Sequence, residues 1–142
     1  NFNWDTFENN LLKVTDYVNT VSSTISVYSL LTTPELMAYM KNLNISTYLS
    51  ILVAPEHLDI RLLPLDIKNK IIKKFDLLIK KISFNPTELD NIAKTLSYLN
   101  KDIEDKDILL KQFKQFNLEV DQINKTSFVK TYPELAEWYE TI

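Results

Sequence analysis

The chain has no glycine in 142 residues. Against a typical usage of roughly 7%, this is its strongest constraint on fold. Turns have to be built from Asn, Asp, Ser or Pro, each of which reaches turn geometry by its own side-chain chemistry. Phosphate sites cradled by glycine-rich loops are excluded at the same time. A turn-rich β fold is disfavoured, and helices are favoured.

The length predicts a single domain, residues 1–142. The first residue is Asn rather than Met, so either a processed chain or a fragment of a longer one is expected, and we read it as the fragment. The net charge of −3 gives no whole-molecule attraction to nucleic acid or anionic lipid. The absence of cysteine removes disulfides, thiolate metal sites and cysteine nucleophiles. No apolar run approaches the ~20 residues of a membrane span, and no signal-peptide pattern opens the chain. A cytoplasmic protein without nucleic-acid or membrane partners is expected.

Phe7, Leu11, Val14 and Val18 predict a helix over 3–19. Residues 23–29 (STISVYS) alternate and are rich in β-branched residues, predicting a strand. Thr33 as cap and Pro34 as first residue predict a helix to Asn42. Residues 46–53 (STYLSILV) predict a second strand, buried on both faces. Strand, short helix, strand is the βαβ pattern, hence a parallel pair.

Pro64 opens a helix over 65–82, with Ile71, Phe75, Leu78, Ile79 and Ile82 within roughly 100° of arc. Asn85 and Pro86 open another, carrying Leu89, Ile92, Leu96 and Leu99. Residues 107–124 form a third, with Leu109, Phe113, Phe116, Val120 and Ile123. Phe128-Val129 reads as an extended link and 133–142 as a last helix. The fold class is α/β, mostly helical: a β-α-β unit followed by three to four helices. The alternative is an all-α bundle.

No catalytic constellation survives. His57, the only histidine, sits between Glu56 and Asp59, but neighbours on one loop rarely converge on a single atom. Glu134, Glu137 and Glu140 share a predicted helix face, as a solvated face also would. The lysines of 68–81 lack the interleaved aromatics of a nucleic-acid surface. Trp4, Phe7, Trp138 and Tyr139 are expected to close the core where the termini pack, with a partner-binding patch as the alternative. Asn44-Ile45-Ser46 and Asn124-Lys125-Thr126 match the unspecific glycosylation pattern.

Two stretches carry a family resemblance. Thr24-Ile25-Ser26-Val27-Tyr28-Ser29 is followed by a helix and then by Pro55-x-x-Leu58-x-Ile60-x-x-Leu63-Pro64-x-x-x-Lys68. Residues 118–128 are followed by Tyr132-Pro133-Glu134-Leu135. Together they resemble radical SAM proteins of the twitch type, common in phage and environmental genomes, over roughly Leu11 to Trp138. The resemblance implies the last strands of a partial barrel and the helices covering it. For the parent family it implies S-adenosylmethionine and a [4Fe–4S] cluster. Ser29 stands at a strand tip where the family often has Asn facing the cofactor, and Val53 and Ala54 are implied near the adenine. Lys125 stands in for a basic residue of the tail motif. The cysteine loop that binds the cluster is absent here, so this chain is expected to hold no cofactor and to be non-catalytic on its own. Its partner would be the missing N-terminal half, or a protein or peptide. The alternative function is a cluster-less helical protein–protein interaction module.

Overall fold

The computed structural model describes residues 3–142. Helix α1 (Trp4–Leu12) starts at Asn3, whose side chain accepts the Thr6 N–H at 2.8 Å. It stops well before residue 19. Stiff β-branched side chains at Val14, Thr15 and Val18 favour other conformations, and a 3₁₀ turn (Thr15–Tyr17) follows. Of the expected face, Leu11 is buried and Val14 is exposed.

Strand β1 (Thr20–Ile25) begins three residues earlier than predicted and ends four earlier. Ser22, left outside both the helix predicted over 3–19 and the strand predicted over 23–29, lies inside it. The segment after Ile25 turns instead of extending: the N–H groups of Ser29 and Leu30 both donate to Ser26 O, at 3.1 and 3.2 Å. In helix α2 (Thr33–Asn42), Thr33 is the first helical residue rather than the cap. Its hydroxyl donates to Ser29 O at 2.8 Å.

Strand β2 (Ser46–Ile51) pairs parallel with β1, from Thr20 opposite Ser46 to Ile25 opposite Ile51. The βαβ unit is therefore present, and an all-α bundle is excluded. Where glycine would normally sit, Asn44, Asp105 and Lys125 hold φ of 58°, 52° and 54°. Lysine at one of these turns was outside the expected set.

Two 3₁₀ turns (Glu56–Leu58 and Ile60–Leu62) lead to helix α3 (Leu65–Lys81), with Pro64 at its cap position. Helix α4 (Pro86–Leu99) opens on a complete capping box: Asn85 accepts from the Glu88 N–H, and Glu88 from the Asn85 N–H. Helix α5 (Lys106–Asn124) follows. The predicted extended link is a short helix, α6 (Phe128–Thr131), because Asp121 takes the Phe128 N–H at 2.7 Å and turns the chain there. The last predicted helix is a 3₁₀ turn (Pro133–Leu135) and then α7 (Ala136–Thr141).

Leu58, Ile60, Leu62 and Leu63 join Ile25, Leu49, Ile71, Phe75 and Phe113 in the main core. Burying each such side chain contributes roughly 1.5–3 kcal/mol. Apolar positions 58, 60 and 63 of the central motif are thus core positions. The two termini do not close a common core. Trp138 and Tyr139 belong to the main cluster, stacked on Phe113 and Phe128 respectively. Phe7 packs on a separate cluster of Leu11, Met40 and Ile45, and Trp4 lies edge-on to Tyr39 of that same cluster.

Candidate functional site

Alternation along β1 and β2 sorts their residues onto two faces. Val21, Ser23, Ile25, Thr47, Leu49 and Ile51 turn towards the core. Thr20, Ser22, Thr24, Ser46, Tyr48 and Ser50 turn the other way, and every one of these six carries a hydroxyl. Five of the six are exposed, Tyr48 by 51%, and Ser46 is half-buried. The expectation that β2 is buried on both faces is therefore corrected. Parallel sheets normally have both faces covered; here hydroxyls solvate the uncovered one.

The two edges of the sheet differ. Ser46 N–H donates to Asn19 O and Leu52 N–H to Ile25 O, so by alternation Thr47, Leu49 and Ile51 direct their backbone groups away from β1. Helix α4 meets that outward edge with polar side chains. Asn91 Oδ1 accepts the Leu49 N–H at 2.6 Å, and Asn91 Nδ2 donates to Leu49 O at 3.0 Å. Glu88, one turn earlier, takes Lys41 at 2.8 Å. Burial works to raise the Glu88 pKa, but Lys41, the Asn85 amide and the Thr47 amide together hold it below its ordinary value. Thr47 Oγ1 and Glu88 Oε1 are sealed from solvent without a hydrogen-bond partner among the described residues. Thr47 and Glu88 are among the residues around a cavity of about 250 Å³ at the N-terminal ends of the strands.

The outward backbone groups of β1 are those of Thr20, Ser22 and Thr24, and β2 is its one sheet neighbour among the described residues. At its end, Ser29 Oγ donates to Thr24 O at 3.2 Å and accepts the Ser26 N–H at 3.1 Å. The Ser29 hydroxyl is thus engaged in holding the turn at the strand tip. Val53 (59% exposed) and Ala54 lie past the end of β2, before a cis Ala54–Pro55 bond. All three sit beyond the carboxyl ends of the strands, where α/β sheets receive ligands.

The central motif has its own polar lock. Asp59 is 0% exposed. It accepts from Arg61 N at 2.8 Å, Arg61 Nε at 3.1 Å, Arg61 Nη2 at 2.8 Å and the Tyr98 hydroxyl at 2.6 Å. Arg61 stacks 4.7 Å over the Tyr98 ring and donates to Asp102 O. The Asp59 hydrogen bonds raise the Arg61 pKa. Burial, then Asp59, pushes the Tyr98 hydroxyl up to about 12. This cluster ties the motif to the end of α4 and to the α4–α5 connection. Sequence reasoning missed both partners of Asp59, and the Asp59-x-Arg61 spacing was the available signal for one of them.

His57 lies on the wall of an open groove of about 510 Å³ along α5, its ring 5.0 Å from Phe116. Burial lowers its pKa, and Glu56 and Asp59 are not brought to it as an acid–base set: Asp59 faces Arg61 and Tyr98. Glu134, Glu137 and Glu140 are exposed, and they span a 3₁₀ turn and a helix rather than one regular face. Lys68 is partly buried, which lowers its pKa. Among the described residues no group of three or more His, Cys, Asp or Glu is placed to hold a metal ion. No helix there is long and apolar enough to cross a membrane.

The chain matches no protein-family model, no curated protein and no solved structure.

Proposed function

We propose that this chain is the closing end of a partial barrel in a twitch-type radical SAM protein, and that it is non-catalytic by itself. The observation that carries this reading is the inequality of the sheet edges. Asn91 occupies the outward backbone of β2, whereas β1 has no strand on its other side among the described residues. A sheet built this way ends at β2 and takes further strands beside β1. In that placement the hydroxyl face lines the barrel interior, and the face carrying Ile25 and Leu49 packs on the covering helices.

The iron–sulfur cluster of such a family does not fit the residues of this chain. Its irons need thiolate ligands, and the chain has no cysteine. That chemistry belongs to another part of the parent protein. Towards S-adenosylmethionine, Val53 and Ala54 offer exposed apolar contact beyond β2. The Ser29 hydroxyl already holds Thr24 O and the Ser26 N–H, so its part there is to shape the strand tip.

The test has two arms. The chain alone, produced with iron and sulfide, is expected to show no cluster absorbance and no retention of radiolabelled S-adenosylmethionine. A polypeptide carrying the natural upstream residues is expected to show both. An upstream region without a C-x-x-x-C-x-x-C motif overturns the reading.

The second reading is a helical protein–protein interaction module. The feature favouring it is the exposed apolar set on α5: Ile108, Phe116, Leu118 and Ile123.

A further inference from the structure

Ile108, Gln112, Phe116, Glu119 and Ile123 fall within about 80° of arc on α5 at 100° per residue, and all are exposed. Ile108 is 55% exposed and Ile123 78%. The face they form is flanked by the groove that Lys111 and His57 also line. The order of residues along it is symmetric about a point between Gln115 and Phe116. Ile108 lies as far on one side as Ile123 on the other, and Gln112 as far as Glu119.

We propose that this face binds a second copy of the chain, with the two α5 helices antiparallel about a two-fold axis. Such an interface has to be self-complementary, each patch meeting its own copy, and the symmetric order supplies that. In this register Ile108 meets Ile123 of the second copy, and Gln112 meets its Glu119 as donor to acceptor. Lys111 falls beside the second copy's Glu119, and the Phe116 rings converge at the axis over the groove. Opposite charges meet at both ends, since each contact occurs twice. The two isoleucines are about 22 Å apart along the helix, so the contact is smaller than the ~800 Å² per partner of a standard interface. The dimer is therefore weak, with a dissociation constant between about 10 μM and 1 mM. This inference does not rest on the radical SAM reading, because it concerns the isolated chain and a surface away from the sheet.

Sedimentation velocity of the full chain across that concentration range tests it. The wild type is expected to shift from monomer to dimer. Ile108→Lys and Ile123→Lys alter exposed positions and should each weaken the dimer at least tenfold with circular dichroism unchanged. Lys111→Glu and Glu119→Lys should each be monomeric alone and associate when mixed in equal amounts, because mixing restores opposite charges at both contacts. A wild type that stays monomeric throughout, a dimer indifferent to Ile108→Lys and Ile123→Lys, or charge variants that fail to associate on mixing, overturns the proposal. A chain that binds only a different protein through α5 overturns it as well.

Discussion

The side-chain amide of Asn91 pairs with the backbone of Leu49 as a neighbouring strand would, accepting its N–H at 2.6 Å and donating to its carbonyl at 3.0 Å. The contact is buried, so neither backbone group has water as a substitute. Replacing Asn91 by Ala leaves a donor and an acceptor unpaired, at a cost of roughly 1–3 kcal/mol for each group. We expect Asn91→Ala to lower stability by about 3 kcal/mol in urea titration. A loss under about 1 kcal/mol would mean that the edge does not need the amide.

Asp59 is a buried carboxylate whose acceptor capacity is used by Arg61 and Tyr98. Removing one member of such a set leaves charge without compensation. Asp59→Asn is expected to cost about 3 kcal/mol, and Tyr98→Phe about 1–2 kcal/mol. The two should be non-additive in a double-mutant cycle, because they share one hydrogen bond.

Glu88 gives stability an acid limb. Its folded pKa lies below the ordinary 4.5. The unfolded chain therefore binds the proton first as pH falls. The stabilisation is complete above pH 4.5 and is lost as pH drops through the lower folded value. Stability measured from pH 5 downwards should fall less steeply in Glu88→Gln than in the wild type.

Tyrosines give an alkaline limb. Burial pushes the Tyr28 and Tyr98 hydroxyls from 10.0 to about 12. Both favour the fold while neutral, so their contribution is intact below pH 10 and is lost as pH rises towards 12. Burial also raises the Tyr132 and Tyr139 hydroxyls, so ultraviolet titration should show Tyr28 and Tyr98 among the last phenols to ionise, with or after unfolding. Early ionisation of both would contradict their burial.

Lys125 holds φ of 54° at the end of α5. That conformation costs an L-residue with a Cβ about 1–2 kcal/mol, partly offset in a glycine variant by the freer unfolded chain. Lys125→Gly should stabilise by about 0.5–1 kcal/mol, visible as a higher melting temperature.

Features set by neighbours in sequence were legible beforehand. The Asn85 cap followed by Pro86 and the α3 face of Ile71 and Phe75 depend on spacing within one or two turns, and β2 on a local run of Leu49, Ile51 and Leu52. The parallel pairing followed from the order of those elements. β1 was misplaced because Ser22 and Ser23 look like turn residues unless one face of the strand is allowed to be wet. α4 was read through its apolar positions, yet Leu89 is exposed while Glu88, Asn91 and Thr95 are buried. Those three recur at helical spacing, and their partners explain them: Lys41 for Glu88, the Leu49 backbone for Asn91 and the Asn91 carbonyl for Thr95. Tyr98 reaches Asp59 across 39 residues, a separation at which no local pattern operates. Ser29 was expected at a strand tip and Val53 inside β2, but the strands stop at Ile25 and Ile51 and leave both beyond them; the hydroxyl face had no local signal.

The Asn91 contact also gives the sheet a direction of growth. With one flank stoppered by an amide and the other met, among the described residues, only by the Ser29 hydroxyl at Thr24 O, the pair behaves like a polymer with a terminator at one end. Any additional strand has to arrive alongside Ser22, and whatever brings it decides what the wet hydroxyl surface comes to enclose.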